Sequence, residues 1–231
     1  MRQPFRIWQD IYIVGSAEIS HPYDCCVYLV DAGGLVLIDA GAGESFDRLV
    51  GSILALGLTP EDLSSIIVTH CHIDHIGALA RFKQKYDAKI IAHQLDAPAI
   101  ESGEWVGTEF YGVDYHPCPV DIRLQEAEHN LHFGKYELKT LHIPSHTRGS
   151  IAVYVDVAGK RLLFGQDIHG PYEVAWGGDP SQAVVSLQKL IDLEADILCE
   201  GHFGIYQPSS EVRGYVEGYL HRLQQRIARR R

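Results

Sequence analysis

The sequence is poor in the features that mark secreted, membrane and nucleic-acid-binding proteins. Its five cysteines are odd in number and scattered, which predicts no disulfide framework. It has no apolar run of the roughly 18 residues that a transmembrane helix needs, and residues 1–4 lack the apolar stretch of a signal peptide. The net charge of −10 disfavours binding to a phosphate backbone. We therefore expect a cytoplasmic protein that binds neither membranes nor nucleic acids.

Length and composition are typical of a single globular domain. With 231 residues, 46% of them hydrophobic, the chain can bury a sizeable core. No linker or low-complexity segment separates its halves, and we expect a single domain over residues 1–231. The expected partner is a small-molecule substrate, and a homodimer is left open.

The most informative segment is Thr69-His70-Cys71-His72-Ile73-Asp74-His75-Ile76-Gly77. Three imidazoles packed this closely repel one another when protonated, whereas a divalent metal binds neutral imidazole and ionised carboxylate. The apolar run at 65–68 predicts a buried parallel strand, and the pattern over 77–86 predicts a helix. The cluster therefore lies where a strand ends and a helix begins, which is where ligands bind in open α/β sheets.

The order of residues in this segment suggests two metals. Side chains alternate along an extended chain, so His70 and His72 point the same way and can share one metal. Asp74 and His75 are adjacent, so their side chains diverge and suit a second, neighbouring metal. Further ligands must come from elsewhere in the chain. Three candidates each follow an apolar, strand-like run and can reach the same rim: His146, Asp167 and His202.

Together these motifs resemble the metallo-β-lactamase superfamily, and its glyoxalase II-like branch in particular. The resemblance covers about residues 11–206. The motifs that carry it are Leu37-Ile38-Asp39-Ala40-Gly41, the His70-to-His75 cluster, the turn around His146, Gly165-Gln166-Asp167 and Gly201-His202.

The resemblance implies a dinuclear metal site. It implies a first ligand set, a second set and a bridging carboxylate, which are His70, His72 and His146; Asp74, His75 and His202; and Asp167. Asp39 then orders the site without binding metal, since metal-bound histidines need such partners. Zinc is the expected metal, with iron or manganese as alternatives.

The implied activity is hydrolysis of a small ester, thioester or lactone by a metal-bridging hydroxide. Two metals sharing a water lower its pKa from about 15.7 to near 7. Asp74 is the catalytic residue, because it can orient the hydroxide as well as bind metal. The chain has Ile168-His169-Gly170-Pro171 where glyoxalase II has a Gly-Cys-Gly-Arg-like run. We therefore do not expect glutathione thioesters, and Asp167 disfavours penicillin-type substrates because β-lactamases of the superfamily generally lack the bridging aspartate.

Two other functions remain open. A mononuclear non-haem iron dioxygenase of the persulfide dioxygenase type can use His70, His146 and Asp167, which supply two histidines and one carboxylate. A binding protein that kept the fold without activity is the other alternative. The metal content of the purified protein distinguishes these functions from a two-metal hydrolase.

The predicted fold class is α/β, an αββα four-layer sandwich of two mixed sheets with outer helices. In the first half we predict a strand over 5–14, a helix over 46–56, and a further helix that starts at Thr59-Pro60-Glu61. The second half begins near Leu124, with strands over 136–143, 151–156 and 161–164, and helices over 180–193 and 211–227.

Substrate choice is expected to depend on three loops, and the first of them, over 16–24, contains His21 and Tyr23. The loop over 102–119 contains Trp105 and Tyr111, which we expect to form an apolar wall over the metals. The loop over 168–178 contains His169, Tyr172 and Trp176, and the Tyr172 hydroxyl is a candidate donor to a developing oxyanion.

Overall fold

The computed structural model describes residues 2–174 and 177–229, which form two β-sheets. The first sheet has seven strands that lie side by side in chain order. β1 to β4 pair antiparallel, and β4 to β7 pair parallel. The strands are β1 (Phe5–Trp8), β2 (Ile11–Gly15), β3 (Val27–Asp31), β4 (Leu35–Ile38), β5 (Leu63–Ile67), β6 (Lys89–His93) and β7 (Ile122–Leu124).

The second sheet has six strands in the spatial order β13-β12-β11-β10-β9-β8. All neighbours are antiparallel except β11 and β12, which are parallel. The strands are β8 (Glu128–Phe133), β9 (Tyr136–His142), β10 (Ile151–Val157), β11 (Lys160–Phe164), β12 (Ile197–Cys199) and β13 (Ile205–Tyr206).

Helices cover the outer faces of both sheets. Leu49 of α1 and Phe82 of α3 pack on the first sheet, and Leu187 of α6 and Val216 of α7 pack on the second. The layers are therefore helix, sheet, sheet, helix, which confirms the predicted αββα sandwich. The helices are α1 (Phe46–Ala55), α2 (Ile73–Ile76), α3 (Leu79–Tyr86), α4 (Ala97–Ser102), α5 (Thr108–Tyr111), α6 (Pro180–Asp192) and α7 (Ser209–Arg229).

The period-2 alternation of the strands divides the core into layers. In β3, Val27 and Leu29 face α1 and α3, whereas Tyr28 and Val30 face the second sheet. Both faces are apolar because helices or the other sheet cover both. The sheets meet through one buried apolar layer, and the strand ends around it carry the polar residues.

Two predicted elements are wrong at their boundaries. The strand predicted over 5–14 is a hairpin of β1 and β2, because Gln9 adopts a left-handed backbone (φ +45°) and turns the chain. The helix predicted from Thr59 is only a short 3₁₀ turn (Pro60–Asp62). Leu63 already pairs with Leu35 in the parallel ladder, so strand pairing ends the helix after one turn.

Other segments contain structure that the sequence pattern did not reveal. The loop predicted over 102–119 contains α5, and β8 lies at the edge of the second sheet where no strand was predicted. All five cysteines lie within the described ranges, where they are buried and form no disulfide. Within those ranges, no helix combines the length and the apolar character needed to cross a membrane.

Candidate metal centre

The side chains predicted as metal ligands meet at one edge of the sandwich. His70 and His72 follow β5, and Asp74 and His75 lie in α2. The others follow strands of the second sheet, where parallel or neighbouring strands end at the same edge. The structure brings all seven together: His70, His72, Asp74, His75, His146, Asp167 and His202.

Close backbone packing holds the segment that carries the first four. The amide of Gly77 donates to the carbonyl of Gly41 at 2.7 Å. A Cβ on Gly77 would lie 2.2 Å from the carbonyl carbon of Ala42. Only glycine therefore allows α2 to approach the loop after β4 this closely.

Asp39 orders the segment from the first sheet. Its backbone has φ +63°, which an L-residue adopts only at some energetic cost. Its carboxylate accepts hydrogen bonds from the Thr69 amide and hydroxyl, both at 2.7 Å, and from His75 Nδ1 at 2.8 Å. Because Nδ1 of His75 donates to Asp39, Nε2 is the ring nitrogen that faces the other donors. Asp39 thus contacts a candidate ligand from behind, as predicted for a residue that orders the site.

The first donor group contains three imidazoles. Donor nitrogens of His70, His72 and His146 lie within 4.8 Å of one another. His146 Nδ1 donates to the Pro171 carbonyl at 2.8 Å, so its Nε2 presents a lone pair, 2.7 Å from His72 Nδ1. His70 Nε2 is buried and has no hydrogen-bond partner among the described residues. Buried nitrogens that converge in this way are satisfied by a shared cation.

The second donor group contains Asp74, His75 and His202, again within 4.8 Å. His202 Nε2 lies 3.2 Å from Asp74 Oδ2. His75 Nε2 lies 3.6 Å from Asp74 Oδ2 and, like His70 Nε2, is buried without a hydrogen-bond partner among the described residues. The second group therefore also contains a buried ring nitrogen that no described residue satisfies.

Asp167 lies between the two groups. Its Oδ2 is 3.4 Å from His146 Nε2 of the first group. Its Oδ1 is 3.3 Å from both His75 Nε2 and His202 Nε2 of the second group. Each oxygen of one carboxylate thus faces a different donor group.

Electrostatics differ between the two groups. Burial lowers the pKa of His70 and His146, and it lowers the pKa of His72 to about 3. These three imidazoles are therefore neutral at pH 7, the state that binds metal.

In the second group, the nearby carboxylates raise the pKa values of the histidines instead of leaving them lowered by burial. Burial acts to lower the pKa of His202, but Asp167 and then Asp74 raise it to about 10. The pKa of His75 is also raised, because the surrounding negative charges outweigh burial. Burial acts to raise the pKa values of Asp74 and Asp167, but His75 and His202 together outweigh it, so both pKa values are lowered. Without a metal, protons on the two histidines balance the two carboxylates.

Asp96 connects the two loops of the first group, a role that the sequence did not reveal. This buried carboxylate accepts hydrogen bonds from the Cys71 amide at 3.0 Å, the Thr147 hydroxyl at 2.6 Å and the Gly149 amide at 2.7 Å. Cys71 lies between His70 and His72, and Thr147 follows His146. Asp96 therefore sets the spacing of the loops that hold the three imidazoles. Its position just before Ala97-Pro98 looks only like a helix start.

Glu200 is a second residue that the sequence did not single out. It is fully buried and accepts hydrogen bonds from the amides of His202 at 2.7 Å and Phe203 at 2.8 Å. Its other oxygen lies 3.1 Å from His169 Nδ1. Glu200 thus fixes the turn that carries His202, and it places the half-buried His169 beside that ring, with centroids 5.3 Å apart.

The residues predicted to contact substrate lie in different environments. Trp105 is 86% exposed and lines a cleft beside His72. Burial and then the charge of Asp74 raise the pKa of Tyr111. Tyr172 is buried and its hydroxyl donates to the Ile168 carbonyl, so we no longer assign it to the oxyanion. Trp176 lies outside the described residues.

Comparison with known proteins identifies the family of this chain. A family model described as the metallo-beta-lactamase superfamily matches residues 22–202. The chain is 31% identical over 174 residues to the probable metallo-hydrolase YqgX of Bacillus subtilis (strain 168), over 73% of this chain and 79% of that protein. It is 33% identical over 140 residues to a hydroxyacylglutathione hydrolase of Bartonella quintana (strain Toulouse), over 59% of this chain and 47% of that protein. These matches confirm the predicted resemblance.

A solved structure shows the same fold. The class B3 di-zinc metallo-beta-lactamase LRA-12, from an Alaskan soil metagenome, superposes with a TM-score of 0.82 at 25% identity. The alignment covers 99% of this chain and 94% of that chain.

Proposed function

Because this chain belongs to the metallo-beta-lactamase superfamily, we propose that it is a dinuclear hydrolase of a small ester, thioester or lactone. Its class, a metal-dependent hydrolase, follows from that membership together with the buried His and Asp groups at the sheet edge. The number of metals, the role of each residue and the substrate belong to the proposal.

The position of Asp167 carries the proposal. One carboxylate oxygen faces His146 and the other faces His75 and His202, at 3.3–3.4 Å. A carboxylate in that position can bridge two cations. A mononuclear site would not require the second donor group of Asp74, His75 and His202. The same observation favours the hydrolase over an iron dioxygenase built on His70, His146 and Asp167 alone, because four further donors lie beside that triad.

The residues present fit divalent metals. His70 Nε2, His75 Nε2 and Asp167 Oδ1 are buried atoms without a hydrogen-bond partner among the described residues, and each can bind a cation. We assign His70, His72 and His146 to the first metal, Asp74, His75 and His202 to the second, and Asp167 to both. Neutral imidazole and carboxylate are ligands of zinc, which is the metal we propose.

Metals bound here supply a hydroxide at neutral pH and polarise the carbonyl oxygen of the substrate. The side chains of the protein position the attacking water and the ligand imidazoles. The Asp74 carboxylate accepts a hydrogen bond from the attacking water and orients it. Asp39 holds the proton on His75 Nδ1, and the Pro171 carbonyl holds the proton on His146 Nδ1.

A metal titration tests the proposal. Metal-free protein should bind two equivalents of zinc and regain hydrolysis of a thioester or lactone. The first equivalent should release few protons, because burial keeps the imidazoles of His70, His72 and His146 neutral. The second should release protons at pH 7, since the raised pKa values keep His75 and His202 charged until metal displaces their protons.

The pH dependence has a definite sign. The ion pairs of protonated His202 with Asp167 and Asp74 raise the pKa of His202 to about 10. They stabilise the metal-free protein at lower pH, and this stabilisation is lost as the pH rises through that value. Affinity for the second zinc should therefore fall as the pH is lowered from 8 to 6. Calorimetry in buffers of different ionisation enthalpy measures the protons released. A single tight equivalent, with oxygen consumption in place of hydrolysis, would contradict the proposal.

Asp96→Asn should weaken the first metal selectively. An amide nitrogen in place of one carboxylate oxygen faces a backbone N–H, so at least one hydrogen bond to the Cys71 or Gly149 loop is lost. We expect zinc affinity of the first group to fall about 10- to 100-fold, as for other partners of metal ligands. Isothermal titration measures the two affinities separately.

Asp24→Asn is the matched control. Asp24 is also buried and accepts hydrogen bonds from the Ala42 amide and the Ser45 hydroxyl, but it contacts neither loop of the first group. Both variants should lower the melting temperature, and only Asp96→Asn should change the first zinc affinity. Equal effects of the two variants on that affinity would show that Asp96 has no special role.

A further inference from the structure

Two separate clefts open beside the donor groups. One, of about 580 Å³, reaches His72 of the first group. The other, of about 670 Å³, reaches His202 of the second group. Their linings share no residue among those described. His72 belongs to the first group and His202 to the second, and the two oxygens of Asp167 face one group each. A molecule whose reacting bond lies at the donor groups can therefore extend into both clefts.

The cleft at His72 has an apolar wall. Leu95, Trp105 and Phe110 line it and are 52%, 86% and 61% exposed. Large apolar side chains that stay exposed around a cleft mark a binding surface for an apolar group. The charges in this lining disfavour an anion, because the two carboxylates of Glu104 and Glu109 outnumber the single guanidinium of Arg148.

The cleft at His202 has the opposite charge balance. Arg2 and Arg6 line it with Glu18 as the one carboxylate among its described lining residues. The Arg2 guanidinium is 3.9 Å from Glu18, and both side chains are more than 60% exposed, so this loose pair leaves Arg2 available to a ligand.

Aromatic rings hold both guanidiniums in place. Arg2 lies over the ring of Phe5 at 4.7 Å, and its backbone amide donates to the Glu18 carbonyl at 2.8 Å. Arg6 lies over the ring of Tyr12 at 5.4 Å and donates one N–H to its hydroxyl, which leaves further donors unused. A positioned guanidinium recognises carboxylate and phosphate groups. The chain has a net charge of −10, so Arg2 and Arg6 form a local positive region that attracts an anion.

From these two clefts we infer that the substrate is an amphiphilic anionic ester or thioester. Its apolar arm occupies the cleft at His72, and its carboxylate or phosphate arm occupies the cleft at His202 and is bound by Arg2 and Arg6. The reacting carbonyl lies between the arms. This inference rests on the proposed hydrolase function and adds the polarity of the substrate to it.

Matched thioester probes test the charged arm. The hexanoyl thioester of 3-mercaptopropionate carries an anion on one side of the carbonyl, and that of 3-mercaptopropanamide is its neutral counterpart. A reversed pair, the butyl thioester of glutarate and its amide, places the anion on the acyl side. Zinc-loaded enzyme should prefer the anionic member of at least one pair about 10-fold in kcat/KM, as expected for a charged hydrogen bond.

Variants assign that preference to the arginines. The double variant Arg2→Gln, Arg6→Gln should lose the preference through KM, with kcat and the rate for the amide probe nearly unchanged. Arg213→Gln is the matched control, because Arg213 lies on α7, is exposed and pairs with Glu217, away from both clefts. Trp105→Ala should reduce the gain in kcat/KM between butanoyl and hexanoyl probes without lowering the melting temperature.

The outcomes separate this inference from the function on which it rests. Hydrolysis of all probes without regard to charge, or an equal loss with anionic and amide probes in the double variant, would overturn the inference and leave the hydrolase intact. No hydrolysis of any probe by the protein with two zinc ions bound would overturn the proposed function itself.

Discussion

Asp167→Asn is expected to lower kcat/KM at least about 100-fold, a loss as large as that caused by disturbing the partners of a metal ligand. The variant keeps the size of the side chain but removes its charge, and a neutral amide bridges two cations poorly. The position 3.3 Å from both His75 and His202 would then hold an atom of a neutral amide in place of a charged carboxylate oxygen. The expected result is a protein of wild-type fold with little turnover.

Steady-state kinetics on zinc-loaded protein, with circular dichroism to check folding, measure this effect. Asp156→Asn is the matched control, because Asp156 is exposed and pairs with Arg161 far from the donor groups. The control should retain activity. Near wild-type turnover in Asp167→Asn would show that the carboxylate does not bridge two metals.

His202→Ala should remove the second metal and spare the first. The ring of His202 completes the group with Asp74 and His75, and its Nε2 lies 3.3 Å from the Asp167 oxygen that faces this group. Zinc per chain is therefore expected to fall from two to one, with hydrolysis nearly abolished. Elemental analysis after gel filtration at fixed free zinc measures the stoichiometry.

The side chain of His202 is 25% exposed, so its removal should disturb the core little. His132→Ala is the control, since His132 is 77% exposed in side-chain area and lies at the edge strand β8. The control should bind two zinc ions. If His202→Ala also binds two, His202 is not a ligand, and if it binds none, the two groups are not independent.

The candidate ligands could be predicted because they follow strands or lie in one short segment. His70 to His75 are visible as a local cluster, and His146, Asp167 and His202 each follow an apolar run. Strand ends of one sandwich edge converge, so proximity follows once the fold is known. The sequence motif therefore specified residues that are distant in the chain and adjacent in space.

The supporting residues could not be predicted, because their partners are mainly backbone groups. Asp96 and Glu200 accept hydrogen bonds from amides that every residue type possesses. Nothing in the side-chain pattern identifies those amides. Tyr172 failed as a candidate for the same reason, since the Ile168 carbonyl occupies its hydroxyl. Likewise Gln9 turns the chain without the glycine or asparagine that marks such turns.

The division of the donors between the two sheets has a consequence for how the protein matures. The first half of the chain supplies His70, His72, Asp74 and His75, and the second half supplies His146, Asp167 and His202. In the proposed assignment neither half holds a complete coordination sphere. In that assignment each metal acquires its full ligand set only after the two sheets have docked, and we expect metal binding to complete folding. Each bound ion would then cross-link the two sheets. Removal of zinc should therefore destabilise the interface between the sheets before it affects either sheet alone.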